Sequence, residues 1–363
     1  MPAFRRGASL PLRRHTVFDE IDRLLEYTGV LYVSALHADP RTSKENAVIT
    51  VAADLGGTKI KLGVVIDGKV AQQASLAAKS REGLLRQLPQ IAAELDRILS
   101  SLGLEHRRCD ALGLTFPGLV ETNANRVRTT YGKWDDAPGI ELGAWAKERF
   151  GLPLVMENDT RLALLGEWHA GAGAGCNNLV LVTLGTGLGT AAIIEGNLLV
   201  GVHGQAGILG GHFCTNRQGA RCTCGNIGCA EAEASTFVLG RIAAKHPDFE
   251  TSAIRHRDHI DYSTVFELAR LGDSCALALK AHGVAVWAQM IVNLIHAYDP
   301  ERIILGGGIM AGAGDFFDDL KAAILSRAHT PWGQVDIVAG ALGSSAALLG
   351  LDALARQRFP ELA

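Results

Sequence analysis

Residues 47–70 read AVITVAADLGGTKIKLGVVIDGKV. A mostly apolar run leads up to a Gly-Gly pair at 56–57. A second one begins at Ile60 and ends at an Asp-Gly pair at 67–68. Short apolar runs bounded by such pairs predict β-strands and the turns between them. These residues therefore predict a strand, a glycine turn, a second strand and a tight turn.

A related pattern returns at residues 178–200, NLVLVTLGTGLGTAAIIEGNLLV. Here too an apolar strand is followed by a Gly/Thr turn, and a second apolar strand ends at a Glu-Gly pair at 195–196. The repetition predicts two similar half-domains that face each other across a cleft. The alternative is that these are two unrelated hairpins of an ordinary α/β protein, although the shared Gly-Thr chemistry of both turns favours duplication.

Helical patterns alternate with the strands, which indicates an α/β fold. Apolar residues recur every three or four positions from Leu84 to Leu102 and predict an amphipathic helix. Further helices are predicted over 19–27, 141–150, 161–169, 235–245, 265–296 with breaks near Gly272 and Gly283, 316–326 and 344–356.

Composition describes an ordinary globular protein. The chain has 363 residues, 48% hydrophobic and 20% charged, with a net charge of −3, so no strong field attracts nucleic acid or a membrane. No apolar run approaches the ~20 residues of a membrane span, and the Arg-rich start lacks the apolar region of a secretory signal. Seven unevenly spaced cysteines favour a reducing compartment, the cytoplasm, over a disulfide framework.

Three glycine turns follow predicted strands. The first is Asp54-Leu-Gly-Gly-Thr-Lys59, in which backbone N–H groups can approach phosphate oxygens, Thr58 can donate its hydroxyl and Asp54 can hold hydrated Mg²⁺. The second is GTGLGT at 185–190, and the third is IILGGG at 303–308. One such turn alone is usually structural. Three of them predict a nucleotide bound between two lobes. The sequence has no GxxxxGK(S/T) run, so a P-loop is excluded.

Three cysteines, Cys222, Cys224 and Cys229, lie within eight residues, and nine residues separate the first of them from His212. Three thiolates and one imidazole satisfy tetrahedral Zn²⁺. Buried free cysteines or a redox pair are the alternatives. A full set of four ligands leaves no open position, so the predicted ion is structural.

The sequence Glu157-Asn158-Asp159 follows the apolar run LPLVM and precedes a predicted helix. Its carboxylates therefore lie at a strand end, facing the predicted cleft. Residue types alone leave two roles equally open for Asp159, a helix N-cap or a catalytic base.

The order of these motifs resembles the ROK family of sugar kinases and repressors, within the actin-like ATPase superfamily. The matching segments are DLGGTK at 54–59, TFPGLVE at 115–121, GLPLVMENDTRLALLGEW at 151–168, GTGLGT at 185–190 and CTCGNIGCAE at 222–231. The resemblance implies a duplicated, two-domain, ribonuclease H-like α/β fold with an interdomain cleft. We expect an extension at 1–48, a smaller domain at 49–168 plus 345–363, and a larger domain at 169–344.

The resemblance also implies an activity, ATP-dependent phosphorylation of a hydroxyl group of a hexose or an N-acetylhexosamine, with Asp159 as general base. The implied cofactors are ATP, Mg²⁺ and structural Zn²⁺, and the implied assembly is a homodimer or homotetramer with no nucleic-acid or membrane partner. Sugar contacts are expected from Gly118, Asn158, His212 and Glu231. Nucleotide contacts are expected from Asp54, Gly56, Gly57, Thr58, Lys59, Thr186, Gly187, Gly307 and Gly308.

Two positions depart from the family pattern. Leu209 stands where a pocket glutamate is usual, and Thr130 stands where many members place a sugar-contacting asparagine. These changes predict a different sugar, a modified hydroxyl or reduced kinase activity. A sugar-binding protein without catalysis is therefore a rival hypothesis. A second rival is a regulator of the same family, although such members carry a winged helix-turn-helix of ~75 residues and only about 48 residues precede the core here.

Overall fold

The computed structural model describes residues 47–360, so the helix predicted at 19–27 and nearly all of the predicted extension lie outside the described residues. The first half of this range forms a five-stranded sheet in the order β3-β2-β1-β4-β7, with a separate two-stranded ribbon of β5 and β6. The strands are β1 (Ile49–Leu55), β2 (Lys59–Ile66), β3 (Lys69–Ala77), β4 (Ala111–Phe116), β5 (Gly118–Glu121), β6 (Arg126–Thr130) and β7 (Leu154–Asn158).

The second half repeats this topology in the order β10-β9-β8-β11-β12. Its strands are β8 (Leu179–Leu184), β9 (Leu188–Ile194), β10 (Asn197–Leu198), β11 (Arg302–Gly306) and β12 (Asp336–Ala339). In both sheets the first three strands along the chain are antiparallel, and the last two lie parallel to the first. The predicted duplication is confirmed.

The two predicted tight turns have the same backbone form. Asp67 and Gly68 have φ of 48° and 72°, and Glu195 and Gly196 have φ of 51° and 73°. Two consecutive positive φ angles define the type I′ turn, whose twist matches that of the strands that it joins. Local chemistry was therefore sufficient to predict these turns.

Nine α-helices are described between residues 47 and 360, and most begin and end within two residues of the prediction. They are α1 (Leu84–Ser101), α2 (Leu142–Phe150), α3 (Asp159–Ala170), α4 (Ala230–Ala234), α5 (Leu239–Ala243), α6 (Tyr262–Arg270), α7 (Ser274–Tyr298), α8 (Phe317–Leu325) and α9 (Ala346–Arg358). The helix predicted over 235–245 is instead a 3₁₀ turn, Thr236–Val238, followed by the short α5.

One of the two breaks predicted in 265–296 is wrong. The chain does break at Gly272, which has a φ of +84°. Gly283 continues α7, because its missing side chain makes room for a neighbour: a Cβ atom there would lie 2.7 Å from the Tyr262 hydroxyl. Close packing, not helix termination, explains this glycine.

Helix α7 is also the one helix in the described range that is long and apolar enough to cross a membrane. Its apolar residues are mostly buried in the core of the second half, where Trp287 packs against Tyr262 and Phe316. Its composition is therefore that of a core helix.

Helices α3 and α9 lie between the two sheets and cross at very short range. A Cβ atom on Gly166 would lie 2.0 Å from the Ala346 carbonyl oxygen, and one on Gly350 would lie 1.9 Å from the Leu162 carbonyl oxygen. One apolar cluster joins side chains of both helices to residues of both sheets. The two glycines therefore allow one helix pair to serve as a shared core.

Helix α9 also binds the first sheet through polar groups, although it follows the second sheet in the chain. The buried Thr50 hydroxyl donates to the Asp352 carboxylate at 2.7 Å, and Arg356 donates to the same carboxylate at 2.9 Å. The chain thus returns to its first half at α9, and the division into domains at 49–168 plus 345–363 and at 169–344 stays a prediction.

We expect Gly350→Ala to lower the free energy of unfolding by about 1–3 kcal/mol, because its methyl group would force α3 and α9 apart. Gly143→Ala in α2 is the matched control, since a Cβ atom there meets nothing within 4 Å. Alanine at that position should leave the free energy unchanged or raise it by about 0.5–1 kcal/mol. Urea unfolding of both variants measures the difference, and equal stabilities would show that the crossing is not tight.

Candidate active site

Asp159 is the first residue of α3 and directly follows β7. The N-cap of the helix is Asn158, whose Oδ1 accepts from the backbone N–H groups of Thr160 at 3.0 Å and Arg161 at 3.2 Å. Asp159 is partly exposed. Capping is therefore performed by its neighbour, and the Asp159 carboxylate is left at the strand end.

The surroundings of Asp159 raise its pKa to about 6. Burial makes the largest contribution, and the negative charge of Asp54 adds to it. The Thr160 backbone N–H, which donates at 2.8 Å, and the positive charge of Lys133 act in the opposite direction. A carboxylate with a pKa near 6 is ionised at neutral pH and is a better proton acceptor than an ordinary aspartate.

The first glycine turn is closely packed on itself. A Cβ atom on Gly56 would lie 2.4 Å from the Lys59 carbonyl oxygen, so only glycine fits there. Thr58 and Lys59 are exposed at the tip of the turn. The turn thus presents backbone and hydroxyl groups to the cleft, which is the chemistry that a phosphate group requires.

Asp54, at the base of this turn, is buried and held by two partners. Its Oδ1 accepts from the Thr115 hydroxyl at 2.5 Å, and its Oδ2 lies 3.2 Å from Lys61 Nζ. Each oxygen keeps a second lone pair, with which it can accept from a water molecule of hydrated Mg²⁺. The site therefore fits a magnesium ion held through water.

The second glycine turn lies against the start of α3. A Cβ atom on Gly189 would lie 2.5 Å from the hydroxyl oxygen of Thr160, the residue after Asp159. The third turn packs on the second, because a Cβ atom on Gly307 would lie 2.3 Å from the Leu184 carbonyl oxygen and Gly307 has a φ of +90°. Thr186, Gly187, Gly307 and Gly308 are exposed around this junction.

Glu231 links the second turn to the segment that follows the cysteines. Its Oε2 accepts from the Leu188 backbone N–H at 3.0 Å, and a Cβ atom on Gly187 would lie 2.6 Å from the same oxygen. One carboxylate oxygen is thus fixed by the turn, and the other remains available to accept from a ligand hydroxyl.

Thr190 fixes the loop of residues 199–209 that leads to His212. Its buried hydroxyl donates to the Gly207 carbonyl at 2.6 Å and accepts from the Gly210 N–H at 2.8 Å. Leu209 lies between these two anchors and is partly exposed. The backbone at the position of the expected pocket glutamate is therefore fixed, but the side chain at that position is apolar.

The predicted zinc ligands come together. One ligand atom from each of His212, Cys222, Cys224 and Cys229 lies within 4.8 Å of all the others. Cys224 Sγ is 3.6 Å from Cys229 Sγ, and Cys222 Sγ is 3.5 Å from His212 Nδ1. Tetrahedral ligands at about 2.0–2.3 Å from one zinc ion lie about 3.3–3.8 Å apart, so the group has the required size.

The remaining predicted sugar contacts lie beside Asp159. Asn158 Nδ2 donates to the Gly118 carbonyl at 3.2 Å, which joins β7 to the ribbon of β5 and β6. Thr130, on the facing strand of that ribbon, donates its hydroxyl to Asp135. Asn158 therefore uses its oxygen for capping and one N–H for the ribbon, which leaves one N–H for a ligand.

Sequence reasoning missed the role of Arg161. This fully buried residue donates from Nη1 to Glu157 at 3.1 Å and from Nη2 to the carbonyl groups of Val200, Gly204 and Ala206 at 2.8–3.2 Å. It therefore ties the start of α3 to the 199–209 loop of the second half. Glu157, four residues before Arg161, was the available signal for the ion pair, but nothing local predicts the contacts with the loop.

Sequence reasoning also missed Lys133, in the loop after β6. Its side chain lies across Gly57, since a Cβ atom on that glycine would be 2.6 Å from Lys133 Cε and 3.0 Å from Nζ. Nothing in the local sequence predicts this contact, because the loop approaches the first glycine turn only in the folded chain.

The family model of the ROK family matches residues 50–358. A glucokinase of Halalkalibacterium halodurans is 33% identical over 273 residues, which cover 73% of this chain and 81% of that enzyme. A ROK hexokinase structure from Thermus thermophilus has a TM-score of 0.72 at 29% identity and covers 86% of this chain and 100% of its own. A ROK glucokinase structure from Streptomyces griseus, in complex with glucose and AMPPNP, has a TM-score of 0.67 at 28% identity, with coverage of 86% and 99%.

Regulators are also similar to this chain. A xylose repressor of Bacillus spizizenii is 28% identical over 253 residues, which cover 69% of this chain and 62% of the repressor. Similarity of sequence therefore extends to proteins with two kinds of role, and the site chemistry has to distinguish between them.

We expect the purified protein to contain about one zinc ion per chain, and Cys224→Ser to lose most of it and to unfold at a lower temperature, because one thiolate ligand is removed. Cys214→Ser is the matched control, since Cys214 is equally exposed and nearby but is not part of the cluster. Metal analysis and thermal unfolding measure both effects. A wild-type protein without zinc, or equal zinc content in the two variants, would contradict the assignment.

Proposed function

This chain belongs to the ROK family, and from this we propose that it is an ATP-dependent sugar kinase that phosphorylates a hydroxyl group of a hexose or an N-acetylhexosamine. The observation that carries the proposal is the position of Asp159. Its carboxylate is influenced by charges beside the first glycine turn, and the next residue, Thr160, contacts the second turn at Gly189. A base at that junction can reach an acceptor hydroxyl next to a nucleotide phosphate.

Nucleotide binding is proposed for the three glycine turns. The close backbone contacts at Gly56 and Gly307 leave no space for a side chain, and the exposed Thr58 and Thr186 add hydroxyl donors. Magnesium, held through water by Asp54, would neutralise charge on the phosphates when bound. The binding of AMPPNP by the Streptomyces griseus glucokinase supports this assignment.

In the proposed reaction, Asp159 accepts the proton of the sugar hydroxyl while that oxygen forms a bond to the γ-phosphorus of ATP. The bond between the γ-phosphorus and its bridging oxygen breaks, and ADP leaves with the electron pair. Phosphoryl transfer depends mainly on positioning and charge neutralisation, so one oriented carboxylate is sufficient on the protein side. The Thr160 N–H holds Asp159 in place at 2.8 Å.

Sugar binding is proposed for four residues, Gly118, Asn158, His212 and Glu231. Asn158 and Glu231 support this role, since each keeps one hydrogen-bonding group free to contact a hydroxyl after its contacts with the protein are made. Leu209 lacks the charged acceptor expected there, and loss of one such hydrogen bond weakens binding by about 1.5–3 kcal/mol. The preferred sugar therefore differs from glucose, or carries no free hydroxyl, at the position that Leu209 faces.

The zinc ion is proposed as a structural brace. When bound, it would fix the cysteine cluster beside His212, and the four ligands leave no position for catalysis. None of the seven cysteines forms a disulfide bond, which fits the proposed cytoplasmic location. A homodimer or homotetramer is proposed for the assembly.

One observation favours a second candidate, a sugar-binding protein with weak or no kinase activity. An apolar residue at 209 removes a charged hydrogen-bond acceptor from the expected pocket. A sugar-responsive regulator is the corresponding role within the family, as in the xylose repressor. Asp54, Asp159 and the glycine turns would be unnecessary for either role, and their presence favours the kinase.

We expect the protein to phosphorylate at least one sugar in a panel of hexoses and N-acetylhexosamines, and Asp159→Asn to lower kcat by roughly 10²- to 10⁴-fold, because the amide cannot accept the proton. ADP release and mass detection of the sugar phosphate measure both. Asp258→Asn, at an exposed loop position, is the control and should retain full activity.

Near-normal turnover by Asp159→Asn would remove the base from the mechanism. Sugar binding without turnover for every member of the panel would favour the second candidate. A shift of genomic DNA fragments in a gel, relieved by sugar, would favour the regulator.

The raised pKa of Asp159 predicts an acid limb in kcat/KM. The base acts when it is deprotonated, so activity is complete well above pH 6 and falls about tenfold per pH unit below a midpoint near 6. Initial rates between pH 5 and 8, with circular dichroism as the check on folding, measure the midpoint. A midpoint near 4, the range of an ordinary aspartate, would contradict the environment described for this carboxylate.

A further inference from the structure

Lys133 occupies a position next to the proposed phosphate site that the family motifs do not assign. Its Cδ, Cε and Nζ atoms would lie 2.7, 2.6 and 3.0 Å from a Cβ atom on Gly57. The side chain therefore runs across the first glycine turn, with its ammonium group at the turn. Its charge also reaches Asp159.

The backbone around Lys133 is fixed by several contacts. The next residue, Trp134, is fully buried, has a φ of +59° and donates its N–H to the Ser80 carbonyl at 2.8 Å. Ser80 in turn donates its hydroxyl to the Gly57 carbonyl at 2.9 Å. The loop that carries Lys133 is thus bound to the same glycine turn over which its side chain extends.

A second anchor lies two residues after Trp134. The Asp136 carboxylate accepts from the N–H groups of Leu84 at 2.6 Å and Leu85 at 2.9 Å, and so caps the start of α1. The segment that carries Lys133 is therefore anchored twice, to the glycine turn through Ser80 and to the start of α1 through Asp136. Its backbone has little freedom to move away from the turn.

The Lys133 ammonium has no hydrogen-bond or ion-pair partner within the described residues, although it is only partly exposed. Asp54, the buried carboxylate of the same turn, pairs instead with Lys61 at 3.2 Å. A cation that lies beside backbone N–H groups and is left unpaired is suited to an anionic ligand.

We infer that Lys133 binds the terminal phosphate group of the nucleotide and is a catalytic residue of the transfer. This inference rests on the proposed kinase function. In that reaction, the group that has to lie between a glycine turn and Asp159 is the phosphoryl group being transferred. A lysine that lies over the turn and whose charge reaches Asp159 meets that group, and it neutralises negative charge there as the new bond to the sugar oxygen forms and the bond to ADP breaks.

The test is nucleotide binding by Lys133→Met, measured by calorimetry with Mg²⁺ and either AMPPNP or ADP. We expect AMPPNP binding to weaken roughly ten- to hundredfold, because one charge-assisted contact is lost, and ADP binding to change by less than about threefold. Lys133→Arg should recover most of the affinity. Lys147→Met, an exposed position in α2, is the matched control and should bind both nucleotides normally.

The same variants are then assayed for turnover with the best sugar of the panel, and Lys133→Met should lower kcat by roughly 10²-fold, as expected when one fixed donor to a transition-state oxygen is removed. Equal AMPPNP affinity of Lys133→Met and wild type, or equal weakening of ADP, would overturn the inference. If Lys133→Met weakens AMPPNP binding but not ADP binding, while the wild type phosphorylates no sugar, the result would support the contact with the terminal phosphate and refute the proposed function. A wild type that binds neither nucleotide would refute both.

Discussion

The crossing of α3 and α9 is the constraint on which the rest of the molecule depends. Gly166 and Gly350 let two backbones touch where side chains would separate them, and the pair then packs on both sheets at once. Because Asp159 begins α3, the shared core also fixes the proposed base at the junction of the two halves. Contacts between glycine and carbonyl groups thus determine where the proposed base lies.

Arg161 adds a polar connection to this apolar one. It is two residues from Asp159 and binds three carbonyl groups of the 199–209 loop, while Glu157 balances its charge. A buried charge without its partner destabilises a protein strongly, so both members of the pair have to be present. The loop that leads to His212 is therefore coupled to the helix that carries Asp159, and the proposed sugar and phosphate sites share one support.

Features that depend on residues close together in the chain could be predicted from the sequence, and features that depend on distant residues could not. The two type I′ turns and the cluster of His212 with three cysteines could be predicted, because the residues of each lie within 17 positions of one another. The break expected at Gly283 was wrong, because a distant tyrosine determines that glycine. Arg161 and Lys133 were missed for the same reason: their partners lie about 40–76 positions away in the chain and meet them only after folding. The motif residues of the candidate site could therefore be named in advance, but not the residues that position or complete them.

Gly57 and Lys133 occupy one shared volume, and this has a consequence for how the chain can diverge. A side chain at 57 would displace the end of the lysine side chain from the turn, whereas a shorter residue at 133 would remove that restriction. The effect of a substitution at either position thus depends on the residue at the other, which is epistasis between sites 76 positions apart. Among descendants of this chain, the identity of residue 133 will decide whether glycine has to be kept at position 57, whereas Gly56 is fixed by the backbone of its own turn.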